Sequence, residues 1–339
     1  MFRISDGFVM PSPKVVVMQA QTSRYISVHH DLVKPVMNLG PLLILPVILF
    51  SVVTQTTAFS QTIPSWTIAF AVIALALGTP HGAVDDLVLT RKTPVKTLVK
   101  LAIIYTSIAT LAASAILWKP ATMFLAVLVM TIWHFGTGDV EAASELIGLK
   151  VSRGFKYWIH VIAAGSVPVL LPLTSPAAIS TLNSIQPKLA QSFSPSTTSN
   201  VRTAVLVVAL VSLIFHLLDS NTRGAIELSA LIALGLVVAP LLAFATYFTF
   251  WHATRHTARL ALSVDGKVTR ESITKVFVHG LPALVAVTTV LIWLLTRDSL
   301  LSSMHQWLWL GLAITWGLTV PHMIAVAYFE RNSRNRLRL

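Results

Sequence analysis

The chain has 339 residues, 55% of them hydrophobic and only 11% charged, and its apolar runs are too long for a water-soluble domain of ordinary composition. Lys and Arg outnumber Asp and Glu by 25 to 13. The cations fall in short clusters between apolar runs, as topology determinants do, so no nucleic-acid partner is expected. The sequence has no cysteine, which excludes disulfides, iron–sulfur clusters and thiolate-ligated haem and leaves His, carboxylate and backbone oxygen as metal ligands.

In chain order, residues 1–38 mix polar and apolar types, with Arg3, Lys14, Arg24 and Lys34 spread through them and no compact apolar core before a small-residue cleavage site. They read as a cytoplasmic extension. A spanning helix needs about 20 apolar residues, and candidate runs follow near 39–59, 64–89, 97–118, 120–138, 156–173, 202–219, 227–252, 275–296 and 304–329. Unpaired backbone is too costly in lipid for anything but helices or closed barrels, and these runs lack the period-2 alternation of barrel strands. The expected fold is an all-α, polytopic membrane bundle over residues 39–330, followed by a basic cytoplasmic tail at 331–339, with no soluble domain.

The cation clusters set the orientation. Arg91, Lys92, Lys96 and Lys100, then Lys150, Arg153 and Lys156, then Arg255, Arg259, Lys267, Arg270 and Lys275, then Arg331, Arg334, Arg336 and Arg338 should all be cytoplasmic. Nine strict crossings from a cytoplasmic N-terminus put the last two clusters outside. Removing one crossing between Lys156 and Arg255 repairs both. The weakest candidate is 156–173, which holds Pro168 and Pro172 and runs into a Pro- and Ser-rich stretch ending near Asn200; it reads as re-entrant or interfacial. About eight transmembrane helices with both termini cytoplasmic are therefore expected, in a prokaryotic inner membrane, with 257–274 along the cytoplasmic surface as a loop or amphipathic segment.

In that topology the runs 64–89, 120–138, 227–252 and 304–329 all head toward the cytoplasm, and His81, His134, His252, His256 and His322 share its half of the bilayer. Ionisable groups at that depth are costly and tend to face a bundle interior, where they bind or pair. "FWHATRH" puts His252 and His256 at i and i+4 on one helix face, within reach of one metal ion, although a solvated pair at a helix end has the same spacing. "GTPHGAVDD" puts Asp85 four residues after His81, where it could accept the non-ligating N–H, and its Gly78 and Gly82 would admit a close neighbour. "TIWHFGTGDV" repeats the pattern with His134 and Asp139; a buried His bonded to a backbone carbonyl is the alternative. His322, after Pro321 in "TVPHMIAVAYFER", reads as a supporting or substrate-pocket residue. His29, His30 and His305 lie at expected interfaces, and His160, His216 and His279 lack a motif partner. Trp133, Phe135, Phe248, Phe250, Trp251 and Trp316 are near enough to wall an apolar tunnel, with ordinary helix packing as the alternative. Imidazole suits Fe, Zn, Cu and Ni; four histidines leave two positions open on octahedral iron and none on tetrahedral zinc.

Taken in order, "GTPHGAVDD", "WHFGTGD", "WHATRH" and "VPHM" on a multi-span chain resemble the bacterioopsin-related and bacterioopsin-linked, or Brp/Blh-type, β-carotene 15,15′-dioxygenases, over roughly residues 40–330. The resemblance implies a membrane enzyme that uses Fe(II) and O2 to cleave the central double bond of β-carotene, drawn from lipid, into two molecules of retinal, the chromophore of microbial rhodopsins. It also implies that His81, His134, His252 and His256 are the catalytic iron ligands. Two departures stand out: Asp86 occupies a position where the family frequently has His, and an extension of about 38 residues precedes the first span. Two other classes fit the histidines alone. One is a haem carrier with axial His pairs; the other is a His-relay transporter working through Asp85, Asp86 and Asp139.

Overall fold

A computed structural model describes residues 32–56, 65–83, 95–146, 153–190, 193–295 and 304–336. Among them every regular element is helical: α1 (Val33–Thr56), α2 (Ser65–Gly78), a 3-10 turn (Thr79–Ala83), α3 (Val95–Trp118), α4 (Pro120–Leu146), α5 (Phe155–Leu173), α6 (Pro176–Ile185), α7 (Pro187–Ala190), α8 (Pro195–Leu218), α9 (Thr222–Val237), α10 (Pro240–Tyr247), a π-helical turn (Phe248–Ala253), α11 (Thr254–Asp265), α12 (Arg270–Leu295) and α13 (Met304–Arg336). Proline opens α4, α6, α7, α8 and α10, where its missing N–H is no loss. Ser175, Ser194 and Asn221 cap α6, α8 and α9 by accepting from the backbone N–H of Ala178, Thr197 and Gly224. Gly266, at φ +70°, ends α11 in the left-handed conformation that glycine adopts without a Cβ penalty.

Six helices among the described residues are long and apolar enough to cross a membrane: Val33–Thr54, Val99–Trp118, Pro120–Leu146, Phe155–Leu173, Pro195–Leu218 and Trp309–Tyr328. Leu111, Trp118, Val129, Phe155 and Leu218 stand exposed on their outer faces, as a lipid-facing surface requires. The expected runs 64–89 and 227–252 are not single helices. The first leaves α geometry at Thr79, and the second breaks at Val238 and Ala239, where Pro240 lacks the N–H to continue the ladder. The first helix starts at Val33, ahead of the expected boundary at Asn38, and α13 carries the basic tail as helix to Arg336.

Packing gives two stretches definition. The stretch 156–173, expected to be re-entrant or interfacial, forms one continuous helix, α5, that is long and apolar enough to cross a membrane and packs against α4, α8 and α9. A Cβ on Gly136 of α4 would lie 2.1 Å from the Val161 carbonyl oxygen, and one on Gly165 of α5 would lie 1.9 Å from that of Ile132, so the two backbones touch through glycine. The 257–274 stretch, expected as a loop or an amphipathic segment, is helical for most of its length, in α11 as far as Asp265 and in α12 from Arg270. Arg255 and Arg259, read from sequence as topology cations, are 2% and 1% exposed. Arg259 holds Glu145 at 2.6 Å and Glu141 at 3.1 Å, and Arg255 holds Glu227 at 3.0 Å while lying 3.8 Å above the Trp251 ring.

The main apolar core gathers Ile44, Val167, Leu171, Leu231, Leu234 and Tyr247 from α1, α5, α9 and α10. A second joins Ile116, Phe124, Val127, Leu189, Trp309 and Ala313 across α3, α4, α7 and α13.

Candidate metal centre

Four separate pieces of chain deliver five histidine rings to one point. His81 sits in the 3-10 turn that follows α2, His134 on α4, His252 and His256 on the π turn and α11, and His322 on α13. The 3-10 turn is clamped from outside. A Cβ on Gly280 of α12 would fall 2.2 Å from the Pro80 carbonyl oxygen, so the α12 backbone bears directly on the residue before His81. Gly78 meets the Phe248 ring in the same way, its notional Cβ 2.5 Å away, which is the close approach expected of the G-x-x-x-G pair. Gly82 backs the His322 ring at 3.5 Å.

The rings form a regular figure. His81, His252, His134 and His322 make a closed circuit, with successive centroid separations of 5.5, 5.2, 5.0 and 5.5 Å. His256 stands apart from the circuit and faces all of it, at 5.4 Å from His81, 6.3 Å from His134, 6.0 Å from His252 and 5.9 Å from His322. All five side chains are between 1% and 6% exposed.

Partners on the far side of the rings fix how they present their nitrogens. His252 Nδ1 lies 2.9 Å from Asp139 Oδ1; since the carboxylate only accepts, Nδ1 carries the proton and Nε2 is left as a lone-pair donor. The other Asp139 oxygen accepts from the Tyr247 hydroxyl at 2.8 Å, which locks the carboxylate. His81 Nδ1 donates to the Gly78 carbonyl oxygen. That N–H is the one expected to reach Asp85, so the supporting acceptor of His81 is backbone; Asp85, with Asp86, lies outside the described residues. Asp139, expected as the support of His134, holds His252 instead. Below this layer Glu141 accepts from Tyr157 at 2.9 Å and pairs with Arg153 and Arg259, fastening α4 to α5 and α11.

The aromatic residues divide. Phe135 and Phe248 do border the cluster, at 4.3 Å from His252 and 5.2 Å from His81 respectively. Trp133 turns outward instead, 53% exposed and stacked on Trp158 at 5.1 Å, because the next residue on its helix, His134, takes the inward face. Trp251 is buried but serves Arg255 and fills the space left by Gly40, and Trp316 packs on Phe124 at 4.9 Å in the second core. His160 and His216 stack on one another at 4.0 Å as a separate pair with Ser212 and Asn221. Sequence reasoning missed Tyr247, Glu141, Glu145 and Glu227. The available signal was the spacing itself: Arg255 and Arg259 interleave with His252 and His256 on one helix, and Glu141 and Glu145 lie one turn apart on another.

These side chains fit a metal. His252 Nε2 and both ring nitrogens of His256 are buried without a hydrogen-bond partner, a loss of about 1–3 kcal/mol for each such group unless something electron-poor meets it. An all-imidazole set suits the borderline transition metals, not Mg or Ca. Among the described residues no three ligand-type side chains already stand in ligating geometry.

Fold and cluster together define a polytopic helical membrane protein with a buried five-histidine centre. The chain belongs to the beta-carotene 15,15'-dioxygenase family: the model of that family matches residues 72–330, a stretch that contains all five clustered histidines. It is 28% identical over 287 residues to a beta-carotene 15,15'-dioxygenase from uncultured marine bacterium 66A03, covering 79% of this chain and 95% of that one. It is 26% identical over 287 residues to a probable beta-carotene 15,15'-dioxygenase Blh from Halobacterium salinarum, covering 76% and 82%. No solved structure matches it. Membership of a dioxygenase family implies a metal cofactor.

Proposed function

We propose that this protein cleaves the central 15,15′ double bond of β-carotene to two molecules of retinal, with Fe(II) held by His81, His134, His252 and His256 and O2 as the co-substrate. The observation that carries the reading is the convergence of those buried rings, with unpartnered nitrogens on His252 and His256, inside the segment that matches the family. Those four residues would hold Fe(II), which when bound would make O2 reactive toward a carbon–carbon double bond. Both oxygen atoms end in the two aldehydes, so the reaction needs no external reductant.

The chain's own contribution is position. Asp139 and Tyr247 orient His252, the Gly78 carbonyl orients His81, and the Gly280 contact fixes the turn that carries it. Phe135 and Phe248 cover the adjacent faces of the rings with hydrocarbon, which suits a polyene and excludes water. No side chain is asked to act as acid or base. The carboxylates near the cluster are committed as supports, Asp139 to His252 and Tyr247, Glu141 to Arg153, Tyr157 and Arg259, which favours fixed scaffolding over a proton relay. A haem plane between any two of the rings would run through the other three, given separations of 5.0–6.3 Å.

The enzyme sits in the inner membrane with both termini cytoplasmic, and its product enters the lipid phase, from which a microbial rhodopsin could draw it. Expression in bacterial cells that accumulate β-carotene tests the reaction. Loss of orange colour with retinal as the main product is expected from the native chain and not from His252→Ala. Unequal aldehydes would move the cleavage site, and unchanged β-carotene with metal-loaded protein and O2 present would refute the substrate. Cysteine labelling at position 265 from the cytoplasmic side only is the expected result for orientation.

A further inference from the structure

We infer that His322 is a fifth metal ligand, which completes the closed circuit of four imidazoles that His256 faces. The inference rests on the metal reading above and extends it to a residue whose motif gave no sign of ligation. His322 is as buried as His81, each 6% exposed. Its ring is 5.0 Å from that of His134, the shortest of the eight separations, and 5.5 and 5.9 Å from His81 and His256. It occupies the gap between His81 and His134 on the side away from His252, so the circuit closes only through it. Gly82 behind the ring, at 3.5 Å, supplies a wall without a side chain of its own to compete for the site.

A pocket residue would be placed differently. A hydrocarbon substrate has no use for an imidazole held among four others. Coordination also makes chemical sense of the count. A tetrahedral ion such as zinc takes four ligands and would leave one of these rings idle, whereas an octahedral ion takes five and keeps one position. One position suffices here, because a polyene has no lone pair to coordinate and only O2 needs a place on the metal.

Spectroscopy of the full chain in detergent, with Co(II) as a visible-absorbing substitute, separates the two roles of His322. Native protein should show the weak visible bands of five- or six-coordinate cobalt. His322→Ala should shift those bands, lose the ion to a chelator at least about tenfold faster, since even supporting residues around a metal cost about 10–100-fold in affinity, and recover the native bands when imidazole is added. Unchanged bands and an unchanged loss rate in His322→Ala, even with activity reduced, would overturn the proposal. Failure of the underlying metal reading looks different: native protein takes up no metal, or His252→Ala keeps the native bands, and the fifth ligand falls with it. If His322→Ala does not fold, X-ray absorption at the iron edge of the native protein decides, five imidazoles supporting the assignment and four refuting it.

Discussion

Replacing Asp139 with Asn tests how the centre is organised. The native carboxylate accepts from two buried donors, His252 Nδ1–H at 2.9 Å and the Tyr247 hydroxyl at 2.8 Å, and is itself 5% exposed. The amide is isosteric but has one acceptor and one donor end. Placed with its oxygen toward His252, it preserves the tautomer and forces the Tyr247 hydroxyl to turn round and accept. Placed the other way, it presents N–H to Nδ1, moves the imidazole proton to Nε2 and removes that nitrogen from the ligand set. The carboxylate charge on the far side of His252 is lost either way. Loss of such a partner costs about 10–100-fold in metal affinity or activity, equivalent to about 1.4–2.7 kcal/mol. Chelator competition on purified protein reads the affinity, and excess Fe(II) should restore much of the turnover in Asp139→Asn. Asp139→Ala is the harsher change, because it leaves both donors buried and unsatisfied at about 1–3 kcal/mol each, and should also lower the thermal midpoint. Native metal affinity and native turnover in Asp139→Asn would refute the account of Asp139 as the residue that sets the His252 tautomer.

Arg259→Leu should cost about 3 kcal/mol in stability, the low end for breaking a buried ion pair, because Arg153 and Tyr157 still hold Glu141; thermal unfolding in detergent measures it, and no change would mean that the pair is dispensable. Gly280→Ala places a Cβ 2.2 Å from the Pro80 carbonyl and should displace the His81 turn, lowering metal occupancy, while Gly82→Ala, 3.5 Å from its nearest neighbour, should be nearly silent in the same assay. Trp133→Ala removes a lipid-facing ring stacked on Trp158 and should cost no more than about 1.5 kcal/mol beyond its buried area, with product composition by chromatography unchanged. An altered cleavage position in that variant would return Trp133 to the substrate tunnel.

The class of the protein is legible in composition and run length alone, because lipid imposes a requirement that each segment meets locally: enough apolar residues, all backbone groups paired within the helix. That intramembrane histidines should gather is legible too, since ionisable groups at that depth tend to face a bundle interior, where they bind or pair. His81, His134, His252 and His256 do come together, and so does His322. Which way a residue faces is a different matter. In a soluble helix one side is polar and the rotation about the axis can be read from the pattern. Here lipid and core are both apolar, so α4 carries no comparable mark to say that His134 faces in and Trp133 out. Rotation is set by what packs against the helix, and that comes from distant chain: Val161 against Gly136, Pro80 against Gly280. The same dependence decided the charges. Arg255 and Arg259 are cations in sequence and would belong in water, but Glu227, Glu141 and Glu145, brought from α9 and α4, neutralise them in the interior. Tertiary structure also chose the partner of each ring, Gly78 for His81 and Asp139 for His252, and made His322 a member of the circuit, because a hydrogen bond or a shared ion requires two groups to meet in space, and their distance along the chain does not report that meeting.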